Sequence, residues 1–464
     1  MKNTHTLSYA AAIAVCTSIA TLSWAEKVAE PSSKKEPVKE STKATNKSEE
    51  SKDTATKAED KAKSADAKKP VEPKALTDEI RKGLKYLAST QNEDGGWGQG
   101  GGWRINTGKG DGGGRVDAKT AQDRSDVGNT CMTMLAFLRA GETLKKGEYK
   151  SHLTKGAQFV MNSVEKSDAK DLYVSEVRDT QMQSKIGRYV DTFLALQLLS
   201  ELKDEMPDKA MEKKRADLAA KIVSKIEQNQ KDDGAFAGNG GWASVLSQGL
   251  CSRALNGARL KGIEVSDAIL EVDNKQNVAG LDVAGKSFSG AAVAGAPSTA
   301  GIQLYANSSK LRGLQENWAV NQQRKAEFRK VVASETAKPE DKKAAKEELQ
   351  KIADADEAQE AALEAVVNNV KDDKFVAGFG NNGGEEFLSY MNISESLRIK
   401  GGDDWEEWDK KITATIHKAQ NKDGSWSGHH CITGRNFCTS GALLTLMADR
   451  APMPEIKEEV AAAK

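Results

Sequence analysis

The strongest constraint on this chain is a pattern that returns. Residues 82–97 read KGLKYLASTQNEDGGW, which sets Gly83, Leu87, Gln91, Gly95 and Trp97 at fixed offsets. The same frame recurs in KITATIHKAQNKDGSW as Ile416, Gln420, Gly424 and Trp426, and in KIEQNQKDDGAF as Ile226, Gln230, Gly234 and Phe236. Decayed copies surround Val164, Gln276 and Asn369. Six anchors, with a basal spacing of roughly 46–50 residues and several insertions, indicate a repeat architecture. Between anchors lie stretches such as VGNTCMTMLAFLRAG and GRYVDTFLALQLLSELK, with apolar residues at helical spacing and frequent glycine stops. No segment alternates as a strand does. The expected fold is all-α, about twelve helices in six helix–turn–helix units.

Each position in the frame has a physical task. Asp94-Gly95 and Asp423-Gly424 suit a turn that needs a left-handed residue after a helix. Gln91 and Gln420 fall in the last helical turn, where an amide can pair with carbonyls lacking intrahelical partners. Trp97 and Trp426 can fold back over the helix they follow.

This frame resembles the QW repeat of squalene/hopene cyclases and the related prenyltransferase repeat, over about residues 76–452. The resemblance implies a six-hairpin α/α toroid with a central cavity. The family's activity motifs do not accompany it. There is no DxDD acid motif; the nearest string, Asp354-Ala355-Asp356-Glu357, lies in a charged stretch. None of Cys131, Cys251, Cys431 and Cys438 follows an Asp by two residues, so the zinc-binding D-x-C pattern of protein prenyltransferases is missing. The GCGEQ of thioester toroids is missing too. Asp403-Asp404-Trp405-Glu406-Glu407 faintly resembles a DDxxD motif but opens a helix, where acidic residues favour the dipole.

Outside the repeats, composition changes sharply. Residues 1–25 have a basic start, an apolar run and a Ser23-Trp24-Ala25 exit, the pattern of a secretory leader. Cys16 sits in a lipobox-like Ile13-Ala14-Val15-Cys16, but Val15 is large for a lipoprotein, so the expectation is an exported protein, periplasmic or secreted. Residues 26–75 are almost wholly Lys, Glu, Ala, Ser, Thr, Asp and Pro, too polar to fold, and read as a disordered linker. Residues 318–366 read as an inserted charged helical hairpin broken at Pro339, and 453–464 as a flexible tail. With 68 basic and 68 acidic residues there is no electrostatic footprint for nucleic acid. No later apolar run reaches the length of a membrane span.

Candidate chemistry falls in two places. GHHCITGRNFC, residues 428–438, concentrates His429, His430, Cys431 and Cys438. It reads as a disulfide or buried thiols, as a functional His/Cys pocket, or as a weak metal site. The starts of the second helices carry Asp126, Arg188, Tyr189, Asp191, Trp242, Gln248, Glu385, Glu386 and Tyr390, with Arg435 near the last. Each acid alone reads as a helix cap; as a ring they make a polar pocket. Asp126, Asp191, Tyr189, Glu385, Tyr390, His429 and His430 are the catalytic candidates, and Arg188, Trp242, Gln248 and Arg435 the ligand-binding ones. The identity of any cofactor is left open by the sequence.

The leading functional expectation is an exported toroid binding a ligand or partner in its central cleft. The alternatives are a divergent cyclase-, prenyltransferase- or glycan-active enzyme, or an assembly protein docking through residues 320–365. The glycine-rich 98–114 segment is no phosphate loop, since it follows a helix and Gly108-Lys109 precedes another glycine. It reads as a loop near the toroid's mouth.

Overall fold

The computed structural model describes residues 71–103, 114–241, 243–289 and 299–453. The proposed leader, most of the linker, Trp242 and nearly all of the tail lie outside the described residues. Among these the helices are α1 Asp78–Ser89, α2 Val127–Arg139, α3 Lys150–Lys166, α4 Gln181–Lys185, α5 Val190–Glu201, α6 Lys209–Asn229 and α7 Ser244–Leu260. They continue with α8 Asp267–Val278, α9 Ala300–Ala333, α10 Pro339–Asn369, α11 Asp373–Ala377, α12 Gly384–Lys400, α13 Gly402–Lys418 and α14 Arg435–Leu446. Two minimal antiparallel pairs join β1 Gly102–Trp103 to β2 Arg115–Val116, and β3 Leu281–Asp282 to β4 Ser287–Phe288.

Six helices make a closed inner ring. In order, α2, α5, α7, α9, α12 and α14 each pack on the next, and α14 packs back on α2. The outer six are α1, α3, α6, α8, α10 and α13, each against one or two inner helices. This is the expected twelve-helix (α/α)6 toroid, with α4 and α11 as short additions. Patterning explains which helix goes where. In α5 every residue from Val190 to Ser200 is buried, as suits a helix covered on all sides. In α1 only Ile80, Gly83, Leu84 and Leu87 are buried, a single stripe.

The repeat frame is what joins neighbouring units. Gly95 and Gly424 sit at φ +89° and +87°, and a Cβ there would meet the Lys155 or Lys82 carbonyl of the next outer helix. The Gln91 amide donates to Gly95 O (2.7 Å) and to His152 O in α3 (3.0 Å). The Gln420 amide repeats this with Gly424 O and Glu79 O, both at 2.9 Å, and so fastens the last unit to the first. The Trp97 and Trp426 indoles donate to Leu87 O and Ile416 O at 2.7 Å. Their rings press on Gly156 and Gly83, leaving no room for a Cβ at either position. Lys-Gly in the frame is therefore the socket for the preceding unit's tryptophan.

Two boundaries differ from the sequence reading. The charged hairpin is the uninterrupted overrun of two ring helices: α9 is 34 residues long and α10 is 31. The Lys/Glu/Ala run contains no breaker before Pro339, so helix α9 never stops at the ring's edge. Nor is the hairpin free-standing. Arg324 pairs with Asp267 of α8 (3.6 Å), Lys351 with Glu271 (3.4 Å), and Lys286 beside β4 with Glu364 (2.8 Å). Folded contacts also begin before Leu76, since the Lys74 backbone donates to Asp449 (2.6 Å) and its ammonium pairs with Asp409.

Candidate functional site

All six inner helices run the same way, so the ring has an N-terminal and a C-terminal face. Both faces carry buried charge, arranged oppositely.

At the N-terminal face the acids meet one another. Asp126 caps α2, accepting from Asn129 N at 2.8 Å, and lies near Asp191 in the first turn of α5. Asp191 accepts from the Gln183 amide at 3.0 Å, while its Oδ1 has no hydrogen-bond donor. Burial raises both carboxyls, and the Asp191 charge raises Asp126 further. Helix α4 covers this end: its Gln181 accepts from Thr433 N (3.0 Å), and Lys185 O accepts from Ala243 N (2.8 Å) just before α7.

Opposite them, Glu385 and Glu386 open α12 with no exposed surface. Glu386 Oε1 accepts from the Tyr305 hydroxyl (2.7 Å), Phe379 N (3.0 Å) and His430 Nε2 (3.2 Å). Its Oε2 lies 3.1 Å from His430 Nε2. Glu385 Oε2 accepts from Ile432 N at 3.3 Å, and Oε1 has no donor. Burial and the Glu386 charge push the Glu385 carboxyl up to about 7. Burial also acts to raise Glu386, but His430, Tyr305 and the Phe379 N–H outweigh it and hold the carboxyl low. His430 is opposed by burial yet carried up to about 10 by its bonds to Cys431 and Glu386 and by both glutamate charges.

At the C-terminal face one acid meets three bases. Glu395 of α12 is 2.7 Å from Arg139 of α2, 2.7 Å from Arg253 of α7 and 3.4 Å from Arg312 of α9. Arg312 also pairs with Glu316. Burial opposes the Glu395 charge, but the Arg253, Arg139 and Arg312 guanidinia overcome it and hold the carboxyl far below its ordinary range. Beside this network lies a cavity of about 460 Å³, lined by Gln197, Ser200, Arg253, Gly257, Gln315 and Glu316 among others. Among its described lining residues none is aromatic.

The structure sorts the sequence candidates. It brings together Asp126 with Asp191, and Glu385 with Glu386 and His430. Tyr390 is fully buried: its hydroxyl donates to Val376 O (2.7 Å) and its ring packs on Phe387 and Trp408. Tyr189 is likewise structural, bonding Ala237 O and stacking with Tyr173 and Phe236. Arg188, just before α5, is exposed beside Gly238. Gln248 joins α7 to α8 through Asp273 at 3.0 Å. Arg435 pairs with Asp423 and steadies the last repeat's turn. Trp242 lies outside the described residues.

The His/Cys cluster does not gather on one point, although the His429 and His430 rings touch edge to face at 4.5 Å and His430 bonds Cys431. His429 is exposed near the Phe379 and Asn382 carbonyls, and Cys438 is buried with its thiol toward Ile432 O (3.4 Å). Cys431 and Cys438 are both free thiols, not a disulfide. Of the four, His430 alone joins the acids. The described ends of the glycine-rich loop dock on the segment leading into α14: Gly100 O accepts from Arg435 N (3.1 Å) and Thr433 Oγ1 from Trp103 N (2.7 Å).

Sequence reading missed Tyr305, Gln181, Gln183 and the whole Arg139–Arg253–Arg312–Glu395 network. A signal was present: each is a charged or polar residue within an otherwise apolar inner helix, or beside one. The class so defined is an α/α toroid with carboxylates gathered at one face and a charge-lined cavity at the other. No family model matches the chain, and no curated protein matches it.

Proposed function

We propose that this protein is an exported toroid of the QW-repeat kind that binds a small charged ligand in the cavity at its C-terminal face. The carrying observation is the cavity itself, about 460 Å³ beside a buried charge network on the ring axis. Concave sites with a few fixed polar groups are the usual place for ligands. Amides, hydroxyls and charges of both signs line it, which suits a zwitterion such as an amino acid or short peptide. A polyprenyl chain fits poorly, because it would leave the lining Arg, Glu and Gln groups desolvated and unpaired. Sugar stacking is also disfavoured, since the lining offers no aromatic face.

Gly257 supplies a test. It lies in α7 on the cavity wall, and a Cβ there would meet nothing within 4 Å. Gly257→Phe should fill the cavity while leaving the ring folded. Thermal-shift titration with short peptides, glycans and isoprenoid alcohols should give a peptide response in the parent protein and none in Gly257→Phe. A response to isoprenoids alone, or a peptide response unchanged by Gly257→Phe, would sink this reading.

A further inference from the structure

The opposite face carries a second inference that does not rest on the ligand-binding reading. Glu385, Glu386 and His430 each offer a ligand atom, and these atoms all lie within 4.8 Å of one another. We propose that they form a binding site for a divalent transition-metal ion of the zinc type.

Four features of the geometry converge on it. First, each carboxylate has one oxygen tied by protein donors and one turned to the shared space. Glu386 Oε1 is held by Tyr305 and Phe379 N, and Glu385 Oε2 by Ile432 N. Glu385 Oε1 is buried and has no hydrogen-bond donor, and Glu386 Oε2 faces only His430. Metal-ligating groups are commonly oriented in this way by a second layer of hydrogen bonds. Second, the three ligand atoms sit on elements fixed by other contacts, since Glu385 and Glu386 open α12 and His430 reaches them from the segment before α14, and two carboxylates with an imidazole suit a dication.

Third, the backbone makes room. Gly383 has an extended φ of −109° that any residue could adopt, so its conformation does not demand glycine. A Cβ there would lie 2.7 Å from His430 Cε1 and closer still to Glu386 Oε2. Fourth, His430 is partly exposed while both glutamates are not, so an ion can enter past the imidazole. Three protein ligands leave the fourth tetrahedral position for water or a substrate group. The set differs in type from the absent Asp-x-Cys pattern. An imidazole among few ligands favours zinc-like ions over calcium, which takes six to eight oxygens.

The experiment uses the full-length protein, untagged and prepared without chelator. Elemental analysis after dialysis against zinc, then buffer, should find about one zinc per chain, with calcium in excess failing to displace it. Zinc should raise the melting temperature of the parent protein and leave Glu385→Gln unmoved. Glu385→Gln keeps the acceptor for Ile432 N, so its metal-free melting temperature should match or exceed the parent's. Tyr305→Phe keeps all three ligands but frees Glu386 Oε1, and should weaken zinc about 10- to 100-fold. Sub-stoichiometric zinc, or a zinc response identical in Glu385→Gln and parent, would overturn the proposal. Either result would leave Glu386 and His430 as a plain ion pair.

Discussion

The two faces of the ring use the same building block, a buried carboxylate on an inner helix, and reach opposite electrostatic outcomes. At the C-terminal face Glu395 is surrounded by three arginines and its proton is held off. At the N-terminal face Asp126, Asp191 and Glu385 have other acids as neighbours, and burial keeps their protons on. One face is a fastening in which α2, α7, α9 and α12 meet through complementary charge. The other face gathers acids whose burial favours their protonated forms. Buried acids with strongly raised values mark candidate functional sites, while the ion network acts by holding the helices that wall the adjoining cavity.

The largest test of this contrast is Glu395→Gln. It removes the carboxylate paired with Arg139 and the nearest one to Arg253, while Arg312 keeps Glu316, and breaking such a network costs about 3–5 kcal/mol. Denaturant unfolding of this variant should show that loss, while Glu385→Gln measured alongside shows none. If both variants destabilise equally, the two faces are not different in kind.

The next test is the pH profile. Asp126 and Asp191 have raised folded values, so their contribution is fully present below the ordinary carboxylate range and is lost as pH rises through the folded values. Glu395 is depressed, so its contribution is present above the ordinary range and is lost as pH falls below it. Asp191→Asn removes the like charge beside Asp126. It should flatten the decline above pH 5 by on the order of 1 kcal/mol, with no change on the acid limb. Chemical unfolding at several pH values checks this; a flattened acid limb would contradict the assignment.

The smallest effect concerns the cavity wall. Gly257→Ala adds a methyl into open space and removes a helix-interior glycine, so it should stabilise by about 0.5–1 kcal/mol. A loss of stability in thermal melts would show that the cavity has no room at that point.

Much of this molecule could be read from its sequence because the repeat frame is local. Gln91, Gly95 and Trp97 act within one turn and on the next helix, so their spacing carries the geometry with it. The anchors at 164, 276 and 369, where the frame has decayed, still fall at the ends of α3, α8 and α10. The overrun of α9 and α10 was harder to place, because composition shows that a segment is helical but not where a ring helix ends. The sites were half legible. Acids at helix starts could be seen, but the pairing of Glu386 with His430 spans 44 residues and Glu395 with Arg139 spans 256. Contacts of that range follow from ring closure, and nothing in the local pattern encodes them. Tyr189 and Tyr390 show the converse: both lie near inner-helix starts, and the structure sets both rings in aromatic packing.

The Gln420 amide reaches Glu79, 341 residues earlier, and the Trp426 ring fills the Gly83 socket. A stacked-repeat protein that stays open needs specialised end units to shield its first and last faces. Here the final repeat shields the first, and no unit is terminal. The same latch sets an order on folding. Until residues 402–446 exist and have packed, the growing stack carries two bare apolar edges, and the last hairpin covers both in one step.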